Sequence, residues 1–310
     1  YPNQTNVTDF SLNFLRFVME LTMSTFTGNF SNFSGHLYYY NAKSYIGQPS
    51  FFIYKLNEGN KLFIGTKGST NINDATINMA INPIITNKGV FINGYYHAAL
   101  YIYNYAYSFI KKHDGPIYFI GHSMGASVST VLHCISSFDF FNAKDINTIA
   151  FAPAPAISEN LNKSYGNKII TVINSEDIVP TISIPNIVNY LRKNVKIKIP
   201  WNFIKKIINF SLSLASCFSK TFNKKLVSSM KNALNDTINE IVNYSNNQTK
   251  NIIRYPPGTI FQFSLYNPSY INCSIIKPEN KINILALTSN SIKLHDPIQY
   301  IKILDSTFGD

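Results

Sequence analysis

Short apolar runs alternate with helical stretches along two blocks of this chain. In the first block, residues 51–54, 61–66, 90–93, 117–120 and 148–152 are apolar runs of strand length, while 95–112 and 124–138 carry apolar positions at helical spacing. Residues 9–26 predict an N-terminal helix packed on the sheet. Its apolar face carries Phe10, Phe14, Phe17, Val18 and Leu21, and a Gly/Asn/Ser-rich stretch follows at 28–35. The second block predicts strands near 259–264, 271–276 and 282–287, then a short closing helix after His295. Strands separated by helices argue for a mostly parallel central sheet with helices on both faces. The expectation is one domain over residues 1–310, with residues 182–252 as an insert between the blocks.

That insert is compositionally different. From Ile178 to Asn235 there are ten Lys/Arg and no Asp or Glu, which leaves 17 basic against 16 acidic residues elsewhere, so all but one unit of the formal charge of +11 resides in this stretch. It is also amphipathic: Ile204, Ile208, Ala215, Phe218 and Phe222 recur at helical spacing, while Asn202, Lys206, Asn209, Ser213, Ser216, Lys220 and Lys224 mark the opposite side. Trp201, with Lys205, Lys206, Lys220, Lys224 and Lys225, suits the surface of an anionic membrane or a lipid droplet, where each lysine adds about 1 kcal/mol. The insert is expected to be a lid or membrane-docking element. A solvated helical pair covering the sheet is the bland alternative. Its longest apolar stretch, 207–218, is interrupted by Asn and Ser and falls short of the roughly 20 residues a bilayer requires.

The candidate chemistry lies at residues 117–127, IYFIGHSMGAS. A buried-strand run stops at Gly121-His122-Ser123-Met124-Gly125 and continues into a packed helix, the pattern of a nucleophile elbow. A serine hydroxyl is a poor nucleophile unless a tight strand-to-helix turn lifts it into a cleft and a base removes its proton. Gly121 and Gly125 let the turn close, because a side chain at either place would collide with the facing strand or helix. Elbow hydrolases place the partners in the order Ser, acid, His. Only His133 and His295 follow Ser123, and His133 lies on the helix that starts at the elbow, so position selects His295. The β-branched run 169–173 ends at Asn174-Ser-Glu-Asp177, which nominates Asp177 with Glu176 in reserve. In such a triad the histidine takes the serine proton and later protonates the leaving alcohol, while the acid holds its tautomer.

With these residues in view the chain resembles the class 3 (fungal-type) lipases over roughly residues 45–305, and within them the diacylglycerol lipases look closest. KGSTNIND at 67–74 is similar to the family's Arg-Gly-Thr/Ser segment, which implies Ser69 as first oxyanion donor. Met124, the residue after the nucleophile, supplies the second through its backbone N–H. FAPAPAIS at 151–158 resembles the family's Gly-Pro-Pro segment, NSEDIVP at 174–180 its catalytic-acid loop, and YPPGTIFQF at 255–263 its Pro-Pro-Gly lead into a strand. HDPIQY at 295–300 keeps its His-to-Tyr spacing. The chain departs from the family pattern at Lys67 (usually Arg), Ala75 (often Trp), Tyr95 after Gly94 (usually Phe) and Leu294 (usually Asp), and its 79–94 segment, the family's lid region, is short.

The resemblance implies an α/β-hydrolase fold and a serine lipase. Such an enzyme hydrolyses ester bonds of di- or triacylglycerols at a lipid surface through an acyl-enzyme, with no metal or cofactor. A phospholipase A1 or a non-lipid carboxylesterase would share the triad. A catalytically silent lipid-binding protein is the alternative of another class.

Composition narrows the picture further. An apolar share of 45% and an aromatic share of 14% fill a large core and exclude disorder of the whole. Cys134, Cys217 and Cys273 are scattered and odd in number, indicating neither zinc site nor disulfide framework, and His36, His97 and His113 lack ligand spacing. Basic residues beside an aliphatic stripe, without a recognised binding motif, argue against nucleic acid. A chain that starts at Tyr1, with sequons at Asn3, Asn6, Asn29 and Asn32, is expected to be secreted or luminal. Oligomeric state is not legible.

Overall fold

A computed structural model describes residues 11–80, 82–140, 142–183, 186, 253, 255–267, 270–276 and 289–306. Apart from residues 182, 183 and 186, the insert expected at 182–252, with Trp201, Lys205, Lys206, Lys220, Lys224 and Lys225, lies outside the described residues. So do the strand expected at 282–287, Cys217 and the sequons at Asn3 and Asn6.

The strands are β1 (Gly35–Tyr40), β2 (Phe51–Leu56), β3 (Lys61–Thr66), β4 (Pro83–Ile85), β5 (Val90–Ile92), β6 (Ile117–His122), β7 (Ile146–Phe151), β8 (Ile169–Asn174), β9 (Thr259–Asn267) and β10 (Tyr270–Ile276). All but β4 and β5 form one sheet in the order β1-β2-β3-β6-β7-β8-β9-β10. The central pairs from β3 to β9 are parallel, and β1-β2, β2-β3 and β9-β10 are antiparallel. Connection length decides this: β2 and β3 are joined by one short turn, whereas parallel neighbours need a crossover. The described crossovers run through α3 (Asn93–Lys112), α4 (Met124–Phe140) and α5 (Glu159–Tyr165).

Side-chain alternation splits the core into two layers. Phe51, Ile53, Leu62, Ile64, Ile117 and Phe119 pack with Ala98 and Ile102 of α3 and Val128 and Val131 of α4. Their neighbours in sequence, Phe52, Tyr54, Phe63, Tyr118 and Ile120, face the other way onto Leu15, Val18 and Met19 of α1 (Leu12–Thr27) and onto Tyr300, Ile303 and Leu304 of the C-terminal helix (Pro297–Asp305). β6, β7 and β8 are buried at every residue, as strands covered on both faces must be. α1 begins where Ser11 Oγ accepts from the Phe14 N–H and ends at Gly28, φ 70°. This is the α/β-hydrolase arrangement.

Two readings of the pattern need correction. The run at 90–93, taken as a strand of the central sheet, is β5, which pairs with β4 in a separate ribbon and bridges to Ile157. It is only three residues long and runs straight into α3, so it cannot cross the sheet. Conversely, β1 was not anticipated. It is an edge strand with mostly exposed side chains, so its sequence carries no buried-face alternation. No helix among the described residues is long and apolar enough to cross a membrane.

Candidate active site

Ser123 occupies the turn between β6 and α4 with φ 59°, a left-handed conformation that costs strain outside glycine. The turn is pinned on both sides. Ser123 N–H donates to Phe151 O of β7 at 2.9 Å, and Ser123 O accepts the Ser127 N–H at 3.1 Å as α4 begins. The two glycines are required by close approach. A β-carbon on Gly125 would lie 2.1 Å from Thr66 O of β3, and one on Gly121 would lie 2.4 Å from the Gly125 carbonyl carbon.

The fold brings Ser123, His295 and Asp177 together. His295 Nε2 lies 2.7 Å from Ser123 Oγ, and its Nδ1 lies 2.9 and 3.2 Å from the two oxygens of Asp177. A carboxylate on Nδ1 holds the proton there and leaves the Nε2 lone pair for the serine hydroxyl. His295 and Asp177 are both buried. Glu176, the reserve acid, is exposed instead. Asp177 sits at the C-terminal end of β8, after the left-handed Ser175, and its N–H donates to Asn174 O.

A shell of donors satisfies that buried carboxylate. Val179 N–H donates to Asp177 Oδ1 at 3.0 Å and Tyr300 Oη donates to Oδ2 at 2.6 Å, a charge-assisted length. Burial first, then the Asp177 charge, push the Tyr300 phenol well above its ordinary value, so it remains a donor. Tyr300 Oη also accepts the Asn174 N–H at 3.1 Å, and Asn174 Nδ2 donates to Leu294 O at 3.2 Å, tying the end of β8 to the segment carrying His295.

The other half of the site is built from the loop after β3. Thr70 N–H, Thr70 Oγ1 and Asn71 N–H all donate to the buried Asp74, and Asn71 Oδ1 accepts the Asp74 N–H in return. This capping box opens α2 (Ile72–Met79) and fixes the chain beside Ser69. Ser69 Oγ accepts from Asn78 Nδ2 at 2.7 Å, and its own hydrogen is directed to Met124 Sδ at 3.5 Å. Sulfur is a weak acceptor, which an oxyanion would outcompete. Tyr95 Oη donates to Asn78 Oδ1 at 3.2 Å and thereby orients the amide; burial pushes the Tyr95 phenol up to about 12. Met124 is buried at the start of α4, where main-chain N–H groups lack helical partners and the helix dipole favours negative charge.

Residues 63–187 match the family model described as Lipase (class 3). Over that span the chain is similar to the class 3 lipases. Among solved structures, the Rhizomucor miehei lipase propeptide complex is 12% identical with a TM-score of 0.47, the alignment covering 55% of this chain and 63% of that one. The lipase from Rhizopus microsporus var. chinensis is 11% identical with a TM-score of 0.42, covering 48% and 56%. A triacylglycerol lipase from Penicillium expansum is 17% identical with a TM-score of 0.47, covering 56% and 72%. The chain thus spans less than two thirds of the length of the first two. None of the curated proteins matches it.

Several departures from the class 3 lipase pattern acquire physical partners. At Leu294 it is the main-chain carbonyl that receives Asn174 Nδ2. Tyr95, in place of Phe, gains a hydroxyl for Asn78. Lys67 lays its Nζ 5.7 Å over the Phe26 ring, and burial lowers its pKa against the opposing pull of Asp74. Sequence reasoning missed Asn78, Tyr95 and Asn174 as site residues. Only Tyr95 carried a signal, as an added hydroxyl where the family has none.

Proposed function

We propose that the chain is a serine lipase that hydrolyses carboxylic ester bonds of acylglycerols at a lipid surface. The observation that carries this reading is the single imidazole of His295, 2.7 Å from one hydroxyl and 2.9 Å from one carboxylate. Ser123 Oγ attacks the ester carbonyl as its proton passes to His295 Nε2. The carbonyl oxygen becomes an oxyanion that the Ser69 hydroxyl and the Met124 N–H stabilise, each worth about 100- to 1,000-fold in rate. Collapse expels the alcohol, which takes the proton from His295, and leaves the acyl group on Ser123. Water, deprotonated by the same imidazole, then releases the fatty acid. The Asp177 carboxylate offsets the positive charge that forms on His295.

The lipid-surface part of the reading draws on exposed apolar side chains. Phe51 is in register with Thr66, and Thr66 with Gly121, so the loop before β2 lies at the same end of the sheet as Ser123. Tyr45 and Ile46 at its tip are 57% and 74% exposed, and Ile298, three residues after His295, is 50% exposed. Ser44 anchors that loop to the start of α2 through Asn71 Nδ2 and Asn73 Nδ2. The basic insert at 182–252 is proposed to act with them as a lid or docking element.

The test compares wild type with Ser123→Ala on p-nitrophenyl butyrate and on emulsified diolein and triolein, with fluorophosphonate labelling in parallel. Hydrolysis and labelling that both disappear in the variant are expected. A wild-type protein that neither turns over these esters nor labels would overturn the proposal. Absence of any rate increase as the substrate passes from monomers to emulsion would remove the lipid-surface part alone.

A further inference from the structure

His122 precedes the nucleophile and is fully buried, yet its Nε2 has no hydrogen-bond partner among the described residues. A buried unsatisfied nitrogen costs free energy, so its retention at this place calls for a physical reason. Its surroundings supply one. The His122 ring lies 4.8 Å from the His295 ring at an interplanar angle of 34°, and 5.4 Å from the Tyr300 ring in an edge-on arrangement. Gly68, next to Ser69, also approaches it: a β-carbon on Gly68 would fall 2.9 Å from His122 O and 3.7 Å from His122 Nδ1.

Accepting His295 as the base, we propose that His122 is a positioning residue: an uncharged imidazole that holds the His295 ring in the line from Ser123 to Asp177 and presents its face to the imidazolium formed during turnover. Two adjacent cationic rings would repel, so the role requires His122 to stay neutral while His295 changes charge. Burial first, and the neighbouring His295 second, push His122 well below the ordinary histidine value. The other titratable groups on the packed elements do not compete for its proton. Asp177 bonds the far nitrogen of His295, Tyr300 donates to Asp177, and Lys67 lies over Phe26.

Two variants separate the two parts of the role. His122→Phe keeps a ring face against His295 and loses the ring nitrogens. His122→Asn keeps a polar side chain and loses the face. With p-nitrophenyl butyrate, kcat is expected to fall roughly tenfold or more in both, with KM within about twofold. The acid-side midpoint of kcat/KM should move down by about 0.5 pH unit in the Asn variant, which no longer favours the imidazolium, and stay in place in the Phe variant. Loss of rate in both with neither midpoint moved would mark a merely structural residue and overturn the proposal, as would two variants indistinguishable from wild type.

A measurement on the unaltered protein guards against variants that fail to fold. In ¹⁵N-histidine spectra, His122 should show a neutral ring that does not titrate between pH 5 and 9. A titration in that window would overturn the inference. An inactive, unlabelled wild type would instead sink the lipase reading.

Discussion

Around Asp177, one buried carboxylate gathers His295, Tyr300 Oη and the Val179 N–H within 3.2 Å, whereas the Ser69 hydroxyl is held by one amide and a sulfur contact. The first half is charge-assisted, buried and redundantly bonded, so each partner restrains the others. The Ser69 hydroxyl is neutral, and beyond the Asp74 cap that fixes its loop it is oriented by a single Tyr95–Asn78–Ser69 chain. The difference follows the proposed chemistry. A proton relay needs fixed distances before substrate arrives. An oxyanion donor needs a hydroxyl free to turn towards charge that exists only in the transition state.

The comparison makes graded predictions. Asp177→Asn, which keeps the shape but forfeits the tautomer, should lower kcat on a soluble ester by about 10⁴-fold. A loss below tenfold would mean that the rigid half is not what sets the rate. Ser69→Ala should cost about 100- to 1,000-fold in kcat with KM little changed, because its bond forms to the transition state. Tyr300→Phe removes one donor to a charged group. Rate is expected to fall about tenfold, and urea unfolding should register about 1.5–3 kcal/mol of lost stability.

Acid tests the buried half in another way. Burial lowers His133 to about 3 from an ordinary 6.5 and lowers His122 well below that value, so the unfolded chain binds more protons than the folded one. Stability from these groups is complete above pH 6.5 and is lost as pH falls, at up to about 1.4 kcal/mol per pH unit for each histidine. Thermal unfolding from pH 7 to 5 should show it, and a melting temperature that rises on acidification would contradict it. Tyr95→Phe is the mildest change. It should slow turnover only a few-fold, since it loosens an amide two bonds removed from the reacting atoms. An effect as large as that of Ser69→Ala would show that the oxyanion side is as tightly coupled as the acid side.

Legibility in the sequence followed the same divide. Chain order and strand ends singled out Ser123, Asp177 and His295, because elbows and acid loops sit at the C-terminal ends of buried apolar strands, and such runs are visible in one dimension. Gly121 and Gly125 were readable for a steric reason that the close contacts bear out. Asn78 was not readable. It is one polar residue on a short helix, and its partner Tyr95 lies on a different helix, so only the packing of α2 against α3 creates the pair. The 90–93 run misled because a strand-length apolar segment reports burial, not which sheet it joins. β1 escaped notice for the converse reason, having no buried face to betray it.

The hydroxyl of Ser123 and the imidazole it meets are separated by 172 positions in the chain. On the proposed reading, a polypeptide emerging from the ribosome carries its elbow before the base that would activate it has been made. Recovery of hydrolysis after dilution from denaturant would then require the segment carrying His295 to dock beside Ser123, not only the strand that ends at the elbow to form.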